Sequence, residues 1–151
     1  MRPGDALLLF SEAVHNDLGR ALERASAATN RELFSRLAAL GHEVRPAIMP
    51  VFMGLEPEGT NISVLAARAG ISRQAMSALV HDVEAAGLVV TSQDPGDKRA
   101  LLVELTEKGA AMCRDAAELS QSITAEWRAK LGDGVFSQLL ETTRAISAEP
   151  S

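Results

Sequence analysis

Tyrosine is absent from this 151-residue chain, and four phenylalanines and one tryptophan are its only large aromatic side chains. A core must therefore be assembled from Ala, Leu, Val and Ile, which suits helices in close approach. Cysteine occurs once, at Cys113, so no disulfide can form within the chain, and a reducing compartment is expected. Long apolar runs are missing as well. The stretch Leu7 to Phe10 is the longest near the start, far short of the roughly 20 residues that span a bilayer. A cytoplasmic protein without a membrane partner is expected.

Positive charge is also in short supply. The formal net charge is −5, and neither the first 60 residues, nor 61–108, nor 109–151 is basic. Any contact with nucleic acid must then come from a few well-placed cations, not from a global field. No G-x-S-x-G, glycine-rich phosphate loop or HExxH is present, and His15, His42 and His81 do not fall at metal-ligand spacing. No enzyme, cofactor or metal is expected.

What is present is periodic. Phe10, Val14, Leu18, Ala21 and Ala25, then Leu33, Phe34, Leu37 and Leu40, recur at helical spacing over 5–40. Thr29 or Asn30 is a candidate cap for a restart, and Gly41-His42 ends the segment. Pro46 fits the first turn of a following helix, and Pro50 is expected inside it as a bend. Asn61 caps a short helix over 62–69, and Gly70 stops it in a left-handed turn. Ser72 opens a second helix to about Ala86, with Met76, Val80 and Val83 as its core stripe and Gly87 at its end.

The period then changes to two. Residues 88–92 and 99–105 read as strands around the turn segment QDPGDK. Thr106-Glu107 starts a long helix to Leu131 with Met112, Ala116, Leu119, Ile123 and Trp127 on one side. Gly132-Asp133-Gly134 breaks it, with Asp133 the expected cap of a last helix carrying Val135, Phe136, Leu139, Leu140 and Ile146.

Helix, glycine turn, helix and hairpin is the order of a winged helix-turn-helix. In 69-AGISRQAMSALVHDVEAAGLV-89 the core stripe leaves Arg73, Gln74, Ser77 and His81, with the small Ala78, on the opposite face. Arg reaches guanine O6/N7 and Gln reaches adenine N6/N7 through paired hydrogen bonds. Lys98 and Arg99 lie just past the hairpin tip. The bland reading of each polar residue, a solvated helix face, is weakened by the hairpin at the right distance. The expected fold is mainly α with a small β-hairpin wing: a winged helix-turn-helix (45–108) flanked by N-terminal (1–44) and C-terminal (109–151) dimerisation helices. The apolar ends, led by Phe10, Val14 and Leu18 and by Phe136, Leu139, Leu140 and Ile146, exceed what a winged helix needs for its own core.

The run LA-x-R-AGIS-RQA-x-S-x-LV, then VEAAGLV, the wing DPGDKRA and the closing LTEKG resemble the MarR family of bacterial transcriptional regulators. The resemblance covers about 50 residues in order; the flanking helices carry no diagnostic motif. It implies a helical homodimer that binds a pseudo-palindromic operator in double-stranded DNA, acts as a repressor, and is released by an effector. By position, Ser72, Arg73, Gln74, Ser77 and His81 become the recognition-helix face. Asp94, Asp97 and Arg99 match the wing signature, in which an Asp orients the tip Arg for the minor groove. Gly96 stands where a further Arg is usual, and Ala78 where a larger polar residue is common. The family also implies a small aromatic or phenolic effector. Met49, Phe52 and Met53 would be its walls and His42 or Arg45 its anion partners, although plain packing accounts for each residue singly. Some relatives sense oxidants through cysteine, but a half-buried helical residue is the plainer account of Cys113. The rival function is a winged-helix dimer with weak DNA binding that serves as a ligand-binding or protein-interaction module.

Overall fold

The computed structural model describes residues 1–15 and 17–148. Helix α1 (Pro3–His15) has no buried residue, and α2 (Leu18–Ala39) buries only Phe34 and Leu37 near its C-terminal end. Of the two readings of 5–40, one long helix or two, two helices form, but the second begins at Leu18 and not at the candidate caps Thr29 or Asn30. Both residues lie inside α2, where the Thr29 hydroxyl donates to the Ala25 and Ser26 carbonyls of the preceding turn. The helix starts instead at Asp17, whose carboxylate accepts from the Gly19 N–H at 2.7 Å. Gly41, at φ +93°, follows its C-terminal cap Leu40.

Pro46–Ile48 forms a 3-10 turn, and α3 (Met49–Gly54) begins directly after it. Pro50 therefore does not bend a helix from within. It occupies the first turn of α3, where its missing N–H would have had no intrahelical partner.

The winged segment follows the sequence closely. Strand β1 (Thr60–Asn61) leads into α4 (Ile62–Ala69), with the Asn61 side chain accepting from the Val64 N–H at 2.9 Å. Gly70 takes φ +66° at its C-cap, and Ser72 caps α5 (Arg73–Ala85) through the Ala75 N–H. Strands β2 (Val89–Gln93) and β3 (Leu101–Leu105) pair antiparallel with Thr91 opposite Val103, in a sheet of order β1-β3-β2. Arg99 and Ala100, expected in the second strand, belong to the turn. β1 escaped the sequence reading because two residues carry no period.

Helix α6 (Glu107–Leu131) starts at Thr106, whose hydroxyl accepts from the Gly109 N–H. Helix α7 (Asp133–Ser147) has Gly132 at its N-cap position and no side-chain cap. Asp133, expected as the cap, lies one residue inside. Its carboxylate accepts from Arg128 at 3.3 Å and its charge sits favourably at the positive end of the helix.

The core is concentrated at one end of the molecule. Leu65 of α4, Met76, Val80 and Val83 of α5, Leu88, Val89 and Val103 of the hairpin, and Ile48 and Val51 interlock there. Phe34 and Leu37 of α2 and Met112 of α6 close it from above. Beyond Met112, α6 buries only Ile123, and α7 buries only Phe136. Among the described residues fourteen buried hydrophobic side chains form this interior, and a large one contributes roughly 1.5–3 kcal/mol.

Candidate nucleic-acid interface

The spacing that buries Met76, Val80 and Val83 turns the other face of α5 to solvent. Arg73, Gln74, Ser77, Ala78 and His81 line one open depression there, of about 720 Å³. All five are exposed. Among the described residues, Arg73, Gln74, Ser77 and His81 make no side-chain hydrogen bond or ion pair, so their donors are available to a ligand. Ser72 belongs to the same end but is engaged: its Oγ is the helix cap.

The wing tip is held by its own aspartates. Asp94 Oδ1 accepts from the Gly96 N–H at 2.8 Å, and Asp97 Oδ1 accepts from the Arg99 N–H at 3.0 Å. Backbone bonds from Ala100 N–H to the Asp97 carbonyl and from Asp94 N–H to the Ala100 carbonyl close the turn, and the Gln93 amide donates to the Lys98 carbonyl. Neither aspartate contacts the Arg99 guanidinium here. One oxygen of each carboxylate accepts a turn N–H, as short aspartate side chains commonly do. The Arg99 and Lys98 side chains have no anionic partner among the described residues. Gly96 has an ordinary φ, and a Cβ there would meet only the Asp94 carboxylate, at 3.4 Å. The backbone thus does not demand glycine at the position where the resemblance leads one to expect Arg.

Contacts invisible in the sequence fix this surface. Glu84 Oε1 accepts from both the N–H and the hydroxyl of Thr91 at 2.7 Å, which holds its carboxyl below the ordinary value. Arg68 donates to the Gly54 carbonyl and pairs with Glu56, tying α4 to the end of α3. At the far end of α5, the Lys108 ammonium donates to the Ala86 carbonyl and the Thr106 hydroxyl to the Gly87 carbonyl, both at 2.7 Å. These carbonyls are the unpaired acceptors at a helix end, and a lysine there also suits the helix dipole.

The five residues expected around an effector are not gathered in one cavity. His42 is 13% exposed and its Nε2 lies 2.6 Å from Asp115 of α6. Arg45 pairs with Asp82 of α5 at 3.1 Å. Met49 and Phe52 pack against the core, and Met53 is 78% exposed beside a shallow depression of about 290 Å³ with Pro50 and Arg68. The carboxylate partners of Arg45 and His42 come from 37 and 73 residues away, beyond the reach of a local sequence pattern. A larger apolar groove of about 480 Å³ lies elsewhere, between α2, α6 and α7, with Leu33, Ile123, Trp127, Phe136 and Leu140 in its walls. Next to it the Arg36 guanidinium grips Glu126 at 2.7 and 2.8 Å and Glu32 at 2.7 Å. That fork keeps Arg36 charged beyond its ordinary range and holds the Glu126 carboxyl down. Burial pushes the Cys113 thiol up, the direction opposite to that of a reactive thiolate.

The helix-turn-helix, its open donor face and the ordered hairpin define a winged helix-turn-helix protein. Residues 51–100 match the sequence model of the MarR family. No curated protein matches the chain. Among solved structures, a MarR-family transcriptional regulator from Rhodococcus sp. RHA1 is 26% identical, with a TM-score of 0.68 over 88% of this chain and 94% of that one. CouR from Rhodococcus jostii RHA1 bound to p-coumaroyl-CoA is 27% identical, with a TM-score of 0.66 over 91% and 96%. A mutant MarR from E. coli complexed with operator DNA is 24% identical and shares the fold, with a TM-score of 0.73 over 91% and 97%. The match to the MarR family covers a third of the chain, the winged segment, and the whole-chain likeness to these structures is one of fold. Among the described residues no helix is long and apolar enough to cross a membrane.

Proposed function

We propose that the protein is a cytoplasmic, homodimeric, sequence-specific DNA-binding repressor whose hold on a pseudo-palindromic operator is released by an effector. The carrying observation is the pairing of an exposed donor face on α5 with a self-closed wing whose Arg99 and Lys98 side chains have no partner among the described residues. In this reading Arg73 and Gln74 read base edges, Ser77 and Ala78 allow close approach, and His81 lies at the same surface. Residues 45–108 act as the DNA-binding unit, and 1–44 and 109–151 as the dimerisation arms. Two relatives were solved with ligands that fit the scheme, operator DNA in one and p-coumaroyl-CoA in the other. An effector with an aromatic acyl group is supported by the apolar groove between α2, α6 and α7 more than by the Met49–Met53 surface. Coupling follows from population shift: a ligand that prefers one arm geometry biases the separation of the two recognition helices.

The dimer is supported by what the single chain leaves uncovered. Leu7, Leu8, Leu9 and Phe10 on α1 and Val135, Leu139 and Ile146 on α7 are all exposed. Such a surface exceeds the scattered apolar residues of an ordinary monomer, and its burial between chains gains about 25 cal/mol per Å². Light scattering should return twice the chain mass, and a stable monomer at micromolar concentration would overturn the arm assignment. Selection of bound duplexes from a random DNA pool should then recover a two-fold site with half-sites about one helical turn apart.

The wing should contribute electrostatically. Arg99→Ala is expected to weaken binding on most sequences and to flatten the log K versus log salt slope by about one per subunit. Asp97→Ala should also weaken binding, although it removes a negative charge, because the Arg99 N–H loses its acceptor and the tip loosens. Tighter binding by Asp97→Ala would mean that charge repulsion outweighs tip order.

A further inference from the structure

We infer that Glu84 is a positioning residue that sets the angle between the recognition helix and the wing, so that the two reach DNA as one rigid unit. The inference rests on the DNA-binding reading above. Strand β2 is the outer strand of the sheet, so the N–H groups along its free edge have no strand partner. Glu84, in the last turn of α5, takes the Thr91 N–H and the Thr91 hydroxyl with one carboxylate oxygen, each at 2.7 Å. No other side-chain hydrogen bond joins α5 to the hairpin among the described residues.

The position of this bond matters more than its strength. Val89, at the base of β2, is anchored in the core, but Ser92 and Gln93 beyond Thr91 are exposed. Thr91 is thus the last point at which the hairpin is tied to α5 before the tip that carries Arg99. Each further strand residue extends the lever by about 3.3 Å, so a small tilt at Thr91 becomes a displacement of the guanidinium out of its groove. The backbone turn at Ala86–Leu88 is fixed separately, by bonds from Gly87 N–H to the Glu84 carbonyl and from Leu88 N–H to the Val83 carbonyl. Those bonds close the helix end, and β1 holds the opposite edge of the hairpin through Thr60–Val103 and Asn61–Leu102, so the tie between the β2 edge and α5 falls to Glu84. The depressed carboxyl keeps the acceptor ionised at neutral pH.

The sign of the effect separates positioning from charge. Glu84 is one turn beyond His81 on α5, and an anion near the DNA-facing helix repels phosphate. Electrostatics alone would make its removal tighten binding. Positioning makes removal weaken it.

The test compares wild type, Glu84→Ala, Glu84→Gln, Arg99→Ala and the Glu84→Ala/Arg99→Ala double variant on the duplex that wild type selects from a random pool, across a salt series. Glu84→Ala should weaken binding about tenfold and lower the salt slope as Arg99→Ala does, though no cation is removed. In the Arg99→Ala background the same change should cost almost nothing. Glu84→Gln, which keeps an acceptor oxygen, should recover most of the affinity. Partial unfolding would lower the active concentration without changing the slope. Tighter binding, an unchanged slope or an additive double variant overturns the inference while leaving the DNA reading intact. A wild-type chain that selects no duplex overturns the DNA reading and this inference with it. If Glu84→Ala does not fold, Thr91→Val removes only the hydroxyl donor; it should shift affinity and slope in the same direction by less, and no shift in either overturns the inference.

Discussion

Gly109→Ala should lower the stability of the protein by about 3 kcal/mol, among the largest losses expected from adding one methyl group. Gly109 sits in the first turn of α6, where the helix crosses the chain leaving α5. A Cβ built there would lie 2.0 Å from the Leu88 carbonyl oxygen and 2.8 Å from Leu105 Cδ1. The half-exposed Leu105 side chain can turn aside, but the Leu88 backbone cannot. The Leu88 carbonyl accepts from the Thr106 N–H at 3.1 Å, and the Leu88 side chain is buried in the core. Helix and hairpin would have to part, and the Lys108 and Thr106 bonds to the end of α5 would part with them. Gly70→Ala is the control. Its φ of +66° makes any side chain unfavourable, but no atom lies within 4 Å, so only about 1 kcal/mol of backbone strain is expected. Denaturant midpoints at one fixed protein concentration would compare the two, since the proposed dimerisation would make apparent stability depend on concentration. Equal losses would show that the α6 crossing relaxes at little cost. A large excess for Gly109 would mark this crossing as the rigid joint through which α6 holds the end of α5.

Arg73→Ala and Gln74→Ala should each cost roughly 1–3 kcal/mol on the preferred duplex and relax the base preference at one position of each half-site. Both side chains stand on the open face of α5 with no partner among the described residues, so removing either breaks nothing inside the protein. Folding should be unchanged, within the few tenths of a kcal/mol typical of surface substitutions. Binding to random duplex should fall less than binding to the selected one. If both variants weaken every sequence equally, the two residues contact phosphate, and base reading must come from elsewhere on α5. The acidic balance of the chain sharpens this comparison: with a net charge of −5, little non-specific attraction is available to mask the loss of a base contact.

Much of the winged helix was legible residue by residue because its signals are local. Asn61, Ser72 and Thr106 each accept from a backbone N–H three residues on, so the cap and its partner lie within one turn of sequence. Gly70 stops α4 by its own backbone conformation. The stripe Met76, Val80 and Val83 needs only helical period, and the donor face follows as its complement. Local signals also misled where several residues were equally able. Asp17 caps α2 while Thr29, an equally plausible cap, spends its hydroxyl on its own helix. Gly132, not Asp133, takes the cap position of α7.

The tertiary structure alone decided what depends on partners distant in sequence. His42 and Arg45 read as anion-binding residues until the fold brought Asp115 and Asp82 to them. Asp97 read as a guanidinium partner until the closed tip gave it the Arg99 N–H. No local signal marks Glu84 as the partner of the Thr91 N–H on β2, or Gly109 as the point where Leu88 lies against α6. A cap or a period is set by interactions within a few residues, which a linear pattern encodes. An ion pair or a close crossing is set by which segments the whole core brings together, and that is a property of the packed chain.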